Sequence, residues 1–181
     1  PGTLDIGALL LMISNNGSPL SLSSIRVLPS LVRATTTSIN WSFFFNIVNV
    51  NVQAIGIFYF ADYSQTWLNS SLFYLGITIF FIGMFINIKS DYLIVTLRKE
   101  NGPGYHMPNK FMHKYISAPN YFGEIVEWIG WAILTWSISG LVFALWTIAN
   151  LFPRALSHHR WYQEKFSNYP KNRKAIIPGL I

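Results

Sequence analysis

Leu72-Phe73-Tyr74-Leu75-Gly76-Ile77-Thr78-Ile79-Phe80-Phe81-Ile82-Gly83-Met84-Phe85-Ile86 is the stretch that decides the fold, and it continues with few polar interruptions to Leu97. A helix over Leu72–Leu97 is long enough to cross a hydrocarbon core of ~30 Å. Arg98-Lys99 closes it, and Glu100-Asn101-Gly102-Pro103-Gly104 must break it. Its last third carries Asn87 and Asp91. Asn87, Asp91 and Arg98 stand at i, i+4 and i+11 and share one helical face. An ionised carboxylate at membrane depth costs about 2.5–3.5 kcal/mol even on the lenient insertion scale, so such a residue marks a site more often than a lapse.

Two further stripes of the same kind follow. Asn120, Glu124 and Glu127 fall at i, i+4 and i+7, and Arg154, His158 and Tyr162 at i, i+4 and i+8. Polar stripes on apolar helices are costly in a bilayer unless they face one another, so the three are expected to line one site. Composition agrees with a membrane protein. Of 181 residues 51% are hydrophobic, 17% aromatic and only 11% charged, against about a quarter charged in soluble domains. The net charge of +6 gathers between Arg98 and Lys114 and between Arg154 and Lys174. Both clusters flank apolar segments, which suits positive-inside anchoring against anionic lipid and excludes a nucleic-acid module. The absence of cysteine excludes disulfides and thiolate metal sites. His106 and His113 lack further ligands at metal spacing, so no metal site is expected.

The expected architecture is all-α, a polytopic transmembrane helical bundle. Ser38–Phe60 is the first span, and its Asn46, Asn49, Asn51 and Gln53 are expected to hydrogen-bond to neighbouring helices. Residues 1–37 are expected to form an atypical or truncated amino-terminal segment, and 38–181 the membrane-embedded domain. Asn120–Leu151 is apolar but interrupted at Ser137-Ile138-Ser139-Gly140. One straight helix over it would run about 48 Å and place the basic clusters on opposite sides of the membrane. A short-helix hairpin near Gly140 returns the chain to its starting side. Phe152-Pro153 then opens a separate, amphipathic carboxyl-terminal helix that ends at Tyr169-Pro170.

The stripes offer guanidinium groups for phosphates, carboxylates and amides for hydroxyls and a carboxamide, and aromatic walls. That set suits a dinucleotide entering from the basic side. By composition alone it suits a phospholipid or S-adenosylmethionine as well.

Longer stretches narrow the choice. Leu97-Arg98-Lys99 with Tyr105, Ser117-Ala118-Pro119-Asn120-Tyr121-Phe122-Gly123-Glu124-Ile125-Val126-Glu127-Trp128, Thr135-Trp136-Ser137, Arg154 through His158-His159-Arg160-Trp161-Tyr162, and Tyr169-Pro170-Lys171-Asn172-Arg173-Lys174-Ala175-Ile176-Ile177-Pro178 together resemble the carboxyl-terminal half of the steroid 5-alpha-reductase (3-oxo-5-alpha-steroid 4-dehydrogenase) family. The order and spacing match over about residues 72–181. The resemblance implies a seven-helix membrane enzyme, in the endoplasmic reticulum of eukaryotes, that uses NADPH to reduce the carbon–carbon double bond of a conjugated enone lipid, above all a 3-oxo-4-ene steroid. It implies cofactor-binding roles for Asn87, Asp91, Arg98, Tyr105, Asn120, Glu124, Arg154, His158, Tyr162 and Arg173.

The amino-terminal part departs from the family. No counterpart is found for the Glu and Tyr that hold the enone carbonyl, and Ala54 and Ile55 stand where a Gly and a Tyr are expected. Catalytic residues are therefore unassigned. The alternatives are an enoyl-CoA or polyprenol reductase of the same family, a membrane methyltransferase, and a truncated cofactor-binding protein without turnover. Oligomeric state is not readable from the sequence.

Overall fold

A computed structural model describes residues 43–102 and 104–181. Four long helices account for most of them: α1 Phe43–Phe60, α2 Ser71–Asn101, α3 Pro119–Thr135 and α4 Ile138–Lys165. The last turn of α1, Gly56–Phe60, is π-helical. Short 3-10 turns lie at Trp67–Asn69 and Phe111–Lys114. The only β pairing among the described residues is an isolated parallel bridge between Ile116 and Lys174. By internal contacts the chain divides into Pro1–Asn51 and Val52–Ile181, and each contact below lies within one unit. Residues 1–42, which hold the expected amino-terminal segment and the first turn of the expected Ser38–Phe60 span, fall outside the described residues.

Three helices, α1, α2 and α4, are long and apolar enough to cross a membrane. Phe58, Tyr59, Phe81, Phe85, Ile88 and Leu145 are largely exposed on the protein surface. Apolar area on that scale is lipid-facing surface, which fits a helical membrane bundle. Ser70 caps α2, its hydroxyl accepting from the Phe73 N–H at 3.1 Å. The helix runs four residues past the expected Leu97 and stops at Gly102, whose φ of 79° continues no helix.

Glycines set how α2 meets α3. A Cβ built on Gly76 would lie 2.4 Å from the Leu134 nitrogen, and one on Gly130 would lie 2.3 Å from the Phe80 nitrogen. One on Gly83 would lie 2.2 Å from the Glu127 nitrogen, and one on Gly123 would lie 2.4 Å from the Asn87 nitrogen. The helices are therefore antiparallel and in backbone contact along four successive levels, the close approach that small residues permit in lipid. The lowest level brings Asn87 to Gly123, one turn from Asn120.

The α3–α4 hairpin forms as expected, with its reversal at Trp136–Ser137. Trp136 takes a left-handed conformation with φ 44°. Ser137 caps α4, its hydroxyl accepting from the Gly140 N–H at 3.1 Å. Gly140 lies inside the first turn of α4 and packs against Ala132 of α3. Gln53 bridges three helices. Its carbonyl accepts from the Trp131 indole at 3.0 Å and its amide donates to the Ser139 carbonyl at 3.1 Å. This is the interhelical role expected of the α1 amides, whereas Asn51 Nδ2 donates within its own helix, to the Ile47 carbonyl at 2.8 Å.

One expectation is corrected. No new helix begins at Phe152-Pro153, because α4 continues through Pro153 to Lys165. Proline removes one helical hydrogen bond, to the Ala149 carbonyl, at a cost of about 3 kcal/mol. Buried Leu151 and Ala155, just before and after it, anchor both sides of that turn in the protein. Nor does the helix reach Tyr169. It ends at Lys165 with Phe166 extended as its C-cap, and the tail turns back over the bundle. There Lys174 N–H donates to Tyr115 O at 2.9 Å, Ser117 N–H to Lys174 O at 2.9 Å and Ala118 N–H to Ala175 O at 3.2 Å. Ile176 joins Ala118 and Ala155 in a small core, with Phe122 and Phe152 packed against it.

Candidate functional site

The three stripes meet at the basic end of the bundle. The glycine seam puts Asn87 and Asp91 of α2 against the start of α3. Asn87 Nδ2 donates to the Asn120 carbonyl at 3.3 Å, and the Asp91 carboxylate shares a hydrogen bond with the Asn120 side chain. Glu124, one turn along α3, lies within electrostatic range of Asp91 and of Arg154 on α4. Tyr121 stands among Asp91, Glu124 and Arg154, and its ring tilts against His158 at 5.4 Å between centroids. Farther along α4, Tyr162 is within electrostatic range of Arg98. Tyr105 packs edge-on against Trp161 at 4.9 Å, and Trp161 against Tyr162 at 5.1 Å. Nine of the ten expected cofactor residues thus form one connected neighbourhood, and the charge of the tenth, Arg173, also reaches Tyr162.

Its charged members remain open except Glu124. Asp91, Arg98, Arg154, His158 and Tyr105 are exposed, while Asn87, Asn120, Glu124 and Tyr162 are half-buried. The arrangement places the Arg154 guanidinium near the Glu124 carboxylate, Asp91 near Glu124 and Arg98 near Tyr162, beside a wall of Tyr105, Trp161 and Tyr162. Arginine forks suit phosphate oxygens, carboxylates accept from hydroxyls, and flat rings bind a heterocycle. The donor set fits a phosphorylated, hydroxyl-bearing aromatic ligand.

Arg173 differs from the other nine in being deeply buried, although its charge reaches Tyr162 as that of Arg98 does. It is 3% exposed, and it donates to the Pro108 carbonyl at 3.1 Å and to Asn109 Oδ1 at 3.3 Å. Its guanidinium also lies 5.1 Å from the Tyr169 ring centroid. Those contacts clamp the tail to the segment before α3. Only Nε of the three guanidinium nitrogens is buried without a partner.

Several residues with defined positions carry no periodic signal in the sequence. Tyr121 lies off the Asn120 stripe. His113 is 1% exposed, and because a carbonyl only accepts, its Nε2–H donates to Ser90 O at 3.3 Å. Burial, with the Arg173 charge as a smaller contribution, holds its pKa down at about 4 despite that hydrogen bond. Ser117, His159 and Tyr169 meet across 52 residues of chain. None of these pairings follows a helical period.

The family model for 3-oxo-5-alpha-steroid 4-dehydrogenase matches residues 33–181. The 3-oxo-5-alpha-steroid 4-dehydrogenase 1 of Mus musculus is 42% identical over 159 residues, 86% of this chain and 62% of the relative. A steroid 5-alpha-reductase of Solanum lycopersicum is 44% identical over 143 residues, 77% of this chain and 54% of the relative. The Homo sapiens 3-oxo-5-alpha-steroid 4-dehydrogenase 1 is 45% identical over 121 residues, 67% of this chain and 47% of the relative. The chain spans roughly half to three-fifths of the length of the curated relatives it matches.

Proposed function

Since the chain belongs to the 3-oxo-5-alpha-steroid 4-dehydrogenase family, we propose that its basic end binds NADPH for reduction of the carbon–carbon double bond of a conjugated enone lipid, a 3-oxo-4-ene steroid in the first instance. When bound, NADPH supplies the hydride, which goes to the β carbon of the enone while a proton completes the α carbon. The observation that carries the reading is the convergence of the three polar stripes. Arg98 and Arg154 hold phosphate oxygens. Asp91 and Glu124 accept from sugar hydroxyls or the carboxamide, with Asn87 and Asn120 fixing the Asp91 side of the site. Tyr105, His158 and Tyr162 form the wall beside which a planar ring lies. Arg173 acts from behind Tyr169 and keeps its guanidinium on Pro108 and Asn109.

The enone carbonyl must be polarised for hydride to reach the β carbon, because the negative charge of the product enolate collects on that oxygen. No residue of this chain is assigned that role. The basic residues near Arg98 and Arg154 face the cytosol under the positive-inside rule, which sets the cofactor entrance on that side of a multi-pass membrane protein of the endoplasmic reticulum. The test is NADPH binding by the full chain in nanodiscs, followed by NADPH consumption with a 3-oxo-4-ene steroid. Binding that is lost in Arg98→Ala supports the site. Binding of S-adenosylmethionine with none of NADPH would overturn it in favour of methyl transfer.

A further inference from the structure

Tyr169 is buried just beyond the end of α4, and side chains from distant parts of the chain meet at its hydroxyl. Ser117 Oγ hydrogen-bonds to the Tyr169 hydroxyl. His159 Nδ1 lies 2.6 Å from Ser117 Oγ and 3.0 Å from the Tyr169 oxygen. Ser117 Oγ also lies 3.0 Å from the Lys174 carbonyl. The protons can be placed from these partners alone. A carbonyl only accepts, so Ser117 spends its single proton on Lys174 and accepts from its other neighbours. The Tyr169 phenol donates to Ser117, and burial raises its pKa, which keeps that proton in place. His159 therefore carries its hydrogen on Nδ1, and its Nε2 accepts from the Gln163 amide at 3.0 Å.

The hydroxyl so fixed orients a ring with two neighbours. Arg173 sits 5.1 Å from its centroid, and Tyr162 stacks nearly parallel to it, 6.0 Å away at 17°. We propose that Ser117, His159 and Tyr169 form a positioning network that sets the ring of Tyr162, and with it the last turns of α4, for cofactor binding. None of the three touches the cofactor. The inference rests on the cofactor reading of Tyr162 given above. It adds a reason for the tail to fold back: Tyr169 reaches the stack only because Lys174 and Ala175 are paired with the segment before α3.

The test compares Tyr169→Phe, Ser117→Ala and their double variant in the full chain in nanodiscs. Two quantities are read, the Kd for NADPH and hydrogen exchange of the amides of residues 159–166 without ligand. Each single variant is expected to weaken NADPH binding roughly three- to tenfold, the worth of one net hydrogen bond, and to speed exchange in that segment. The double variant is expected to be no worse than the weaker single, since both break one network. His159→Asn, which keeps a donor near the Nδ1 position, should recover affinity that His159→Leu loses. A lowered melting temperature with unchanged Kd and unchanged exchange would overturn the proposal and leave Tyr169 a structural residue only. If the unmutated chain fails to bind NADPH, the cofactor reading falls, and unchanged exchange in Tyr169→Phe would then overturn the positioning of Tyr162 separately.

Discussion

Gly123→Ala perturbs the site through backbone alone. The added Cβ would lie 2.4 Å from the Asn87 nitrogen and 2.8 Å from the Gly83 carbonyl oxygen, whereas ordinary contact begins at 3.4 Å. Both obstacles are backbone atoms, so no side chain can rotate away, and the helices must separate by about 1 Å (3.4 − 2.4) at that level. Overpacking of this size costs about 1–3 kcal/mol of stability. Asn87 and Asp91 move with the α2 backbone. Losing one charge-assisted hydrogen bond to the ligand costs about 1.5–3 kcal/mol, or roughly 10- to 150-fold in affinity. Gly76→Ala supplies the matched control. Its Cβ would lie at the same 2.4 Å, from the Leu134 nitrogen, but eleven residues from Asn87, about 16 Å along the helix. The assay measures thermal unfolding and NADPH affinity of both variants in nanodiscs. Similar losses of stability with a loss of affinity confined to Gly123→Ala are expected. Equal losses of affinity in both, or affinity within twofold of the parent in Gly123→Ala, would refute the claim that the seam positions the site.

Other outcomes follow from single contacts. His113 is held neutral in the folded protein, with its pKa lowered from 6.5 to about 4. The unfolded chain therefore binds the extra proton between those values, and stability is full above pH 6.5 and falls toward pH 4. The loss approaches about 3 kcal/mol at roughly 1.4 kcal/mol per unit, and a pH series of thermal melts should show an acid limb that His113→Gln flattens. Ser137→Ala removes the α4 cap and should cost about 0.5–2 kcal/mol in the same melts, with cofactor affinity unchanged because the cap is at the far end of α4. Gln53→Leu strands the Trp131 indole N–H and removes the second donor to the Ser139 carbonyl. It should cost about 1 kcal/mol, since hydrogen bonds between helices in membranes average about 0.6 kcal/mol and reach about 1.7.

Helices and stripes were legible in the sequence because their physics is local. A helix repeats every 3.6 residues, so Asn87 with Asp91, Asn120 with Glu124, and Arg154 with His158 announce a shared face within one turn. The cost of polar groups in hydrocarbon then predicts that such faces converge, whatever the order of the helices. Composition determined the membrane class for the same reason, since lipid rewards apolar surface residue by residue. The tertiary structure alone decided the register. Gly76, Gly83, Gly123 and Gly130 look like ordinary small residues in apolar runs, and only the pairing of α2 with α3 shows each one under a backbone atom. It also decided that α4 passes through Pro153, because a proline's local cost is outweighed by the burial of Leu151 and Ala155 on either side. The meeting of Ser117, His159 and Tyr169, and the diversion of Arg173 to Pro108 and Asn109, depend on the tail folding back over the start of α3. The contacts of Ser117 with His159 and Tyr169 and of Arg173 with Pro108 and Asn109 close across more than forty residues and leave no period in the sequence, and only the folded chain brings their partners within bonding distance.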